Sequence, residues 1–422
     1  MLKKVWSILF IILIVSTSCK RSEVEIAQIA KSEYDSIPRF DSIDWVKAYN
    51  FRKPNSKIKK EKQRFLNNYY KNFWLKNNTS GGVIVAQHGE ILFEGYSGFS
   101  DFENEVPITK ETPIHIASIS KVLTSMAVLK LVENQKLALT DVVDKFFKDF
   151  PYEGVKVQDL LNHRSGLPNY LPLSEDPNYW DKSKMMSNHD LLEMFIEKKP
   201  DPLAKPDTRF FYNNTNYVIL ALIIEKVTGF DYPQAMKYIV FDPLGMENTF
   251  VMEFDKHSDQ VSKTYYKNGR IWDYDHLDKT YGDKNIYSTP RDLLKMDIAM
   301  YSDKFLPQHL KEKAWQGYSY ERPGVKNYGL GFRLMEWDDE NRLIYHNGKW
   351  HGNNTTYVRD IENEATIIAL GNRLNPTIYA SMKLVSLFGD YPYRFDDGKI
   401  RDVSIRNLQR ELNLIKENKR NS

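Results

Sequence analysis

The sequence predicts an α+β fold in which an antiparallel sheet is flanked by helices. Apolar residues between Lys57 and Trp74 recur near helical spacing and predict a helix. Two strand-like runs follow, Gly82–Ala86 and Glu90–Glu94, separated by a short turn that contains glycine. The last third predicts four more strands and then a helix. The strands fall at 328–335, 341–346, 354–358 and 365–370, and the helix at 375–390.

Helical patterns dominate the middle of the chain. Thr215–Val227 is strongly apolar and is followed by Gly229, a residue type that commonly ends helices. Residues 170–210 contain five prolines, which predict short helices and loops. Ser118–Gln135 has an apolar helical face, and Pro290 stands where the first turn of another helix is expected. A mainly helical part, over roughly residues 150–285, is therefore expected beside the sheet.

Composition is that of a globular protein without affinity for nucleic acid. The 422 residues are 41% hydrophobic and 13% aromatic, which is enough to fill a large core. Lys and Arg total 59 against 56 Asp and Glu, a net charge of +3. Such a balance gives no electrostatic reason to bind a polyanionic nucleic acid.

The N-terminus has the pattern of an export signal. Lys3 and Lys4 precede the apolar run Val5–Val15, which is too short to span a bilayer and is typical of a secretory leader. Small residues then lead to Cys19, the single cysteine of the chain, which excludes an intramolecular disulfide. This arrangement resembles the lipobox of bacterial lipoproteins; an ordinary signal peptide with an incidental cysteine is the alternative. Lipid on Cys19 would anchor the protein stably only through two or more acyl chains.

These patterns divide the chain into four parts. Residues 1–18 are the expected lipoprotein signal peptide, 19–56 a tether, 57–390 one catalytic domain and 391–422 a charged tail. Residue Lys20, after the cysteine, favours the outer membrane by analogy with other lipoproteins. We therefore expect a lipid-anchored protein of the cell envelope that faces the periplasm.

Ser118 is the candidate nucleophile. A serine hydroxyl needs a base within hydrogen-bond reach, and Lys121 lies one helical turn away on the same face. A lysine that accepts a proton must be neutral, a state that burial and a helix N-terminus favour. The apolar surroundings of Ser118 fit this requirement. The same spacing at Ser56–Lys59 lies in a solvated, lysine-rich segment, so spacing alone does not identify the site.

Two further elements could complete the site. Tyr212-Asn213-Asn214 immediately precedes the apolar helix at 215; the tyrosine could act as a general base and Asn214 could hold substrate. Taken alone, Tyr212 is more readily interpreted as an aromatic residue that packs in the core before the helix. His346-Asn347-Gly348 ends a predicted strand, and glycine there permits close backbone approach. Alone, His346 reads as a half-buried strand histidine.

Taken in this order, the three elements resemble the serine β-lactamase-like superfamily. That superfamily includes class C β-lactamases, penicillin-binding proteins with DD-peptidase activity, D-aminopeptidases and family VIII esterases. Further segments look like family blocks, and the likeness spans roughly residues 80–390. The blocks are Ile116–Lys121, Asp159–Pro168, Phe211–Tyr217, Tyr287–Leu293 and Tyr328–Phe332.

The resemblance implies a β-lactamase/transpeptidase-like fold with the site between sheet and helical part, and no metal or cofactor. It implies that Ser118 attacks a carbonyl carbon to form an acyl-enzyme and that Lys121 takes or shuttles the proton. Tyr212 would protonate the leaving group and later activate water, while Asn214 would bind the substrate amide. The Lys349 amide, after Gly348, would form an oxyanion hole with the Ser118 amide. His163 and Ser165 are expected to hold a turn near the cleft.

The sequence departs from class C β-lactamases at two positions. They carry Lys-Thr-Gly where this chain has His346-Asn347-Gly348, and a neutral imidazole is a weaker anchor for a β-lactam carboxylate. Where many relatives have a Gly-Gly pair, this chain has Gly282-Asp283-Lys284. We expect Lys284 to be a solvated loop residue, the alternative being a compensating charge at the cleft.

We therefore expect a hydrolase of D-amino-acid peptides, amides or small esters. Its partners would be a small-molecule or peptide substrate, including peptidoglycan fragments, and a membrane reached through Cys19. A true β-lactamase and a catalytically idle relative that binds peptidoglycan remain as alternatives.

Overall fold

A computed structural model of the protein describes residues 44–53, 55–337, 341–395 and 403–420. Twelve strands occur in these ranges: β1 Gly81–Gln87, β2 Glu90–Ser97, β3 Phe99–Asp101, β4 Val106–Pro107, β5 Ile114–His115, β6 Phe250–Val251, β7 Ile286–Ser288, β8 Lys326–Tyr328, β9 Arg333–Glu336, β10 Arg342–Trp350, β11 Asn353–Asp360 and β12 Ala365–Gly371. In the same ranges, no helix combines the length and apolarity needed to cross a bilayer.

Thirteen α-helices accompany the strands in the described ranges: α1 Trp45–Ala48, α2 Ser56–Tyr69, α3 Ser120–Glu133, α4 Val157–Leu161, α5 Tyr170–Leu173, α6 Asn188–Lys198, α7 Thr215–Thr228, α8 Tyr232–Met236, α9 Phe254–His257, α10 Pro290–Ala299, α11 Gln308–Trp315, α12 Thr377–Ala380 and α13 Val403–Arg420. Short 3₁₀ and π-helical turns extend or precede several of them. The turn that matters most for the site is Ala117–Ile119, directly before α3.

Seven strands form one antiparallel sheet in the order β2-β1-β12-β11-β10-β9-β8. Strands β1 and β12 pair along their whole length, with Ile84 opposite Ile368, so the two ends of the domain lie side by side in the sheet. The predicted antiparallel sheet flanked by helices is confirmed. One predicted strand, 328–335, is two strands, because Gly331 at φ +88° forms a turn after Gly329.

The sheet separates two hydrophobic cores. One face packs against α10 and the helical part, around buried residues of α3 and α7 such as Leu123 and Leu220. The other face carries a smaller core under α2, α13 and the 3₁₀ turn Ser381–Leu387. A second sheet, with three strands in the order β5-β7-β6, connects the helical part to the seven-stranded sheet. In this smaller sheet Ile114 lies opposite Ser288. This junction places the turn before α3 beside the segment before β7.

Residues at both ends of the domain pack more closely than the sequence predicts. Part of the expected tether lies on the domain, because the rings of Tyr49 and Phe51 lie 5.2 and 5.0 Å from the ring of Tyr301. The Arg52 amide also donates to the Glu364 carboxylate at 3.0 Å. In the expected charged tail, α13 buries Leu408, Leu412 and Ile415. The leader and Cys19 lie outside the described residues.

Helix α13 offers a matched pair of leucines that tests its docking. Leu412 is completely buried, whereas Leu414 is 60% exposed on the same helix. We expect Leu412→Ala to lower the free energy of unfolding by about 2–5 kcal/mol, because it leaves a cavity under the sheet. Leu414→Ala should change it by less than about 0.5 kcal/mol. Denaturant unfolding measures both, and equal effects would contradict a docked helix.

Candidate active site

The candidate nucleophile lies in a tight, conformationally constrained turn. Ser118 is half-buried in the 3₁₀ turn that precedes α3, and the residue before it, Ala117, has φ +49°. Non-glycine residues rarely adopt this conformation, so surrounding contacts must hold it. One such contact comes from His115, whose Nδ1 accepts the Ala117 amide hydrogen at 3.0 Å.

His115 can accept that hydrogen bond because it is neutral. Burial lowers the pKa of His115 to about 4, even though the Asn285 side chain acts in the opposite direction. Its Nε2 donates to the Asn285 side-chain oxygen at 3.0 Å, which fixes the tautomer. His115 therefore links the turn at Ala117 to the segment before β7.

Lys121 is completely buried and reaches the Ser118 hydroxyl. Its Nζ lies 3.2 Å from Ser118 Oγ and donates to the Asp283 carbonyl oxygen at 2.7 Å. The rings of Tyr212 and Tyr217 lie 5.3 and 5.6 Å from the same nitrogen. The amine is thus within the reach that proton transfer from the serine requires. At the similarly spaced Ser56, the lysine three residues on, Lys59, forms a surface ion pair with Glu90.

Tyr212 lies against two basic side chains. The Lys121 amine nitrogen is 5.3 Å and the Arg333 guanidinium 4.5 Å from the centre of the Tyr212 ring. The Arg333 cation, and Lys121 once it has accepted the serine proton, favour negative charge that develops on the phenol oxygen during proton transfer. Arg333 cannot be identified from the sequence alone, because it stands at the start of β9 with no motif around it.

Asn214 presents an unused hydrogen-bond acceptor beside these groups. Its side-chain oxygen is buried and has no hydrogen-bond partner in the described part of the chain. Behind it, His163 accepts hydrogen bonds from the Asn213 amide and the Asn216 side chain, at 3.2 and 3.1 Å. Ser165 donates to the Asn216 side-chain oxygen at 2.6 Å. His163 and Ser165 thus lie in the turn that supports Tyr212 and Asn214.

His346 is fully buried and uncharged, not half-buried. Its Nδ1 lies 2.8 Å from the Asn347 carbonyl oxygen, which can only accept, so Nδ1 carries the proton. Its Nε2 then accepts from the Tyr328 hydroxyl at 3.1 Å. Burial lowers the pKa of His346 well below its usual value, and the Arg333 and Lys121 cations lower it further. The imidazole therefore supplies no charge for a substrate carboxylate.

Gly348 brings β10 against the nucleophile turn. A Cβ atom at this position would lie 2.6 Å from the Ile116 carbonyl oxygen and 2.9 Å from Ala117 Cβ, closer than real contacts allow. Strand β9 pairs with β10 only as far as Tyr345, so among the described residues no strand pairs with the edge from His346 to Trp350 on that side. Lys349, with an exposed side chain, lies on this edge. The oxyanion hole of the Ser118 and Lys349 amides stays a prediction.

The expectation that Lys284 is a solvated loop residue is wrong. Its side chain is 2% exposed, and Nζ donates to the Tyr170 hydroxyl at 2.7 Å and lies 3.6 Å from the Asp283 carboxylate. Burial lowers the pKa of Lys284, and Asp283 opposes this shift. The backbone before Lys284 requires glycine at position 282. Gly282 has φ +92°, and a Cβ atom there would collide with the Tyr217 carbonyl oxygen. The ion pair thus lies directly behind the carbonyl that holds Lys121.

A pair of buried lysines tests the role of this segment. Lys284→Met leaves the Asp283 carboxylate buried without its cation and should disturb the carbonyl that Lys121 uses. We expect covalent labelling of Ser118 by a fluorophosphonate to slow about 10- to 100-fold, since small displacements at a reacting centre have effects of this size. Lys311, 1% exposed and paired with Asp303 away from the site, gives the control. Lys311→Met should label at the wild-type rate; equal slowing in both variants would indicate general destabilisation.

Comparisons with known proteins show the family of this chain. The family model described as Beta-lactamase matches residues 66–384. Penicillin-binding protein 4* of Bacillus subtilis is 30% identical over 370 residues, covering 82% of this chain and 81% of that protein. Teichoic acid D-alanine hydrolase of Staphylococcus aureus is 26% identical, covering 68% and 74%.

A penicillin-binding protein from Bacillus halodurans has a similar solved structure. Its TM-score is 0.67 at 22% identity, over 76% of this chain and 98% of that one, which supports the fold. The extent of the family match and the similarity to penicillin-binding protein 4* together establish the family. The chain belongs to the beta-lactamase family and is a serine hydrolase of the β-lactamase and penicillin-binding protein type.

Proposed function

We propose that Ser118 is the residue acylated in this hydrolase and that Lys121 is its base. The carrying observation is the position of the buried Lys121 amine, 3.2 Å from the serine oxygen and held by the Asp283 carbonyl. The serine oxygen bonds to the substrate carbonyl carbon as its proton passes to the amine. The charge on the carbonyl oxygen would be held by the Ser118 and Lys349 amides.

Tyr212 completes the proton path in this proposal. As the bond from carbon to the departing oxygen or nitrogen breaks, Tyr212 gives its phenol proton to that atom and takes up the proton held by Lys121. A water molecule then enters and attacks the acyl carbon, while one of its protons passes through Tyr212 to Lys121. The bond between the acyl carbon and the Ser118 oxygen breaks, and that oxygen takes the proton back from Lys121. The unpartnered side-chain oxygen of Asn214 would accept a hydrogen bond from the substrate amide.

The substrate class that we propose is D-amino-acid peptides, amides or small esters of the cell envelope. One relative, 26% identical, is named a teichoic acid D-alanine hydrolase, which supports D-alanyl substrates. The neutral His346 argues against efficient β-lactam hydrolysis, because it provides no cation for the β-lactam carboxylate. Arg333, with a buried Nε that lacks a partner within the described ranges, is one alternative cation.

Active-site labelling tests the nucleophile and the base. A fluorophosphonate should label the wild type and fail to label Ser118→Ala, because the attacking oxygen is gone. Lys121→Ala should fold but label at least about 100-fold more slowly, the size of a general-base contribution. The exposed Ser56, which has the same spacing to a lysine, provides the control: Ser56→Ala should label normally.

Labelling that survives in Ser118→Ala, or wild-type rates in Lys121→Ala, would contradict the assigned roles. A folded wild type that never labels would favour the catalytically idle alternative. Rates with nitrocefin, p-nitrophenyl esters and D-alanyl peptides then separate the remaining two readings. We expect the ester or the D-alanyl peptide to be the better substrate; the proposal fails if nitrocefin exceeds both.

We also propose that the enzyme is a lipoprotein of the outer membrane, anchored through Cys19 and facing the periplasm. The support is the basic, apolar and small-residue pattern that precedes this single cysteine. An alkyne fatty acid fed to producing cells should label the wild type and the control Ser18→Ala, but not Cys19→Ser. A wild type without label, or Cys19→Ser still held in the membrane fraction, would overturn this anchor.

A further inference from the structure

A basic cavity opens next to the candidate active site. It has a volume of about 670 Å³ and is lined by the cations Arg209, Arg322, Lys326 and Arg333 around an aromatic floor. Two of its lining residues also belong to the site. Arg333 packs on the Tyr212 ring, and the Tyr328 hydroxyl donates a hydrogen bond to His346 Nε2. The cavity therefore adjoins the site through Arg333 and Tyr328.

The positive charge of the basic cavity is not neutralised by its own wall. Its one lining carboxylate, Glu321, forms an ion pair with Arg164. Arg209 stacks on the Phe211 ring at 4.0 Å, and its guanidinium forms no ion pair with a described residue. Arg322 and Lys326 likewise have no carboxylate partner in the part of the chain that the structure describes.

Arg164 holds the two walls of the basic cavity at a fixed separation. Its guanidinium donates to the Asp207 carboxylate at 2.7 Å on the wall that carries Arg209. It also donates to the Ser319 hydroxyl at 3.1 Å, on the wall that carries Arg322 and Lys326. Arg164 itself is only 9% exposed. The cavity is thus preformed, so a ligand need not order its walls on binding.

We propose that the basic cavity binds an anionic group, phosphate or carboxylate, carried by the leaving group of the substrate. The inference rests on the proposed function, because Tyr212 is there the residue that protonates the leaving group. In the acylation step the serine oxygen bonds to the acyl carbon and the carbon–oxygen bond of the ester breaks. The alcohol leaves with the proton from Tyr212, and its anionic end lies among Arg209, Arg322 and Lys326.

Three D-alanyl esters of similar size test this inference: those of glycerol 3-phosphate, glyceric acid and glycerol. We expect the wild type to show a kcat/KM about tenfold higher for the anionic esters than for the glycerol ester. Each of three exposed charge pairs changes affinity about twofold, and three such factors multiply to about eightfold, close to the expected preference. The preference should fall with added salt. A preference for phosphate alone would identify phosphate as the ligand, and a preference for both would identify negative charge in general.

The triple variant Arg209→Ala, Arg322→Ala, Lys326→Ala should lose the preference, expressed as the ratio of kcat/KM between anionic and neutral esters. The control triple Lys226→Ala, Lys267→Ala, Arg270→Ala removes the same charge from exposed positions elsewhere, and Arg270 also stacks on a ring, that of Tyr266. Its ratio should stay at the wild-type value. An equal fall in both triples would overturn the inference, because it would show only the effect of net charge.

The failure of this inference is distinguishable from failure of the proposed function. If the wild type hydrolyses all three esters equally and Ser118 still labels, the basic cavity does not bind the leaving group and the proposed function stands. If no ester is hydrolysed and Ser118 does not label, the proposed function itself is wrong.

Discussion

The hydrogen bond from the Lys121 amine to the Asp283 carbonyl is the contact on which the site depends. A lysine without exposed surface needs acceptors from the protein, and this carbonyl provides one next to the serine oxygen. The same short segment supports the serine from the other side. Asn285 orients His115, and His115 holds the backbone at Ala117. Residues 283–285 therefore position both the nucleophile and its base.

That segment also explains why the two parts of the fold meet where they do. Strand β7 follows it directly and pairs with β5, which leads into the nucleophile turn. From the sheet, Gly348 closes on the same turn because no side chain intervenes. The cleft is thus bounded by the helical part, by the free edge of β10 and by Arg333. Lys284 and Arg333 are the cations beside it, whereas His115, His163 and His346 are uncharged because burial lowers the pKa of each imidazole.

Much of this arrangement is readable from the sequence, since apolar periodicity marks α3, α7 and the strands of the sheet. The predicted site residues lie close together because each stands at or just before the start of a helix that packs in the core. They are Ser118, Lys121, Tyr212 and Asn214. The positions of Lys284 and Arg333 in the site could not be predicted in this way. A lysine in a polar run is normally solvated, and Lys284 is buried by contacts with residues distant in the sequence, such as Tyr170 and Trp350. For the same reason, the sequence predicts a charged tail where helix α13 lies, because the packing of α13 against α2 is a long-range contact.

The roles proposed for Ser118, Lys121 and Tyr212 require that hydrolysis passes through an acyl group on Ser118. Mass spectrometry of enzyme quenched during turnover of a D-alanyl ester detects such a group, with the adduct located by peptide mapping. We expect a D-alanyl adduct on the peptide that contains Ser118, and its absence from enzyme quenched after the substrate is exhausted. Turnover with an adduct on another residue, and none on Ser118, would contradict these roles.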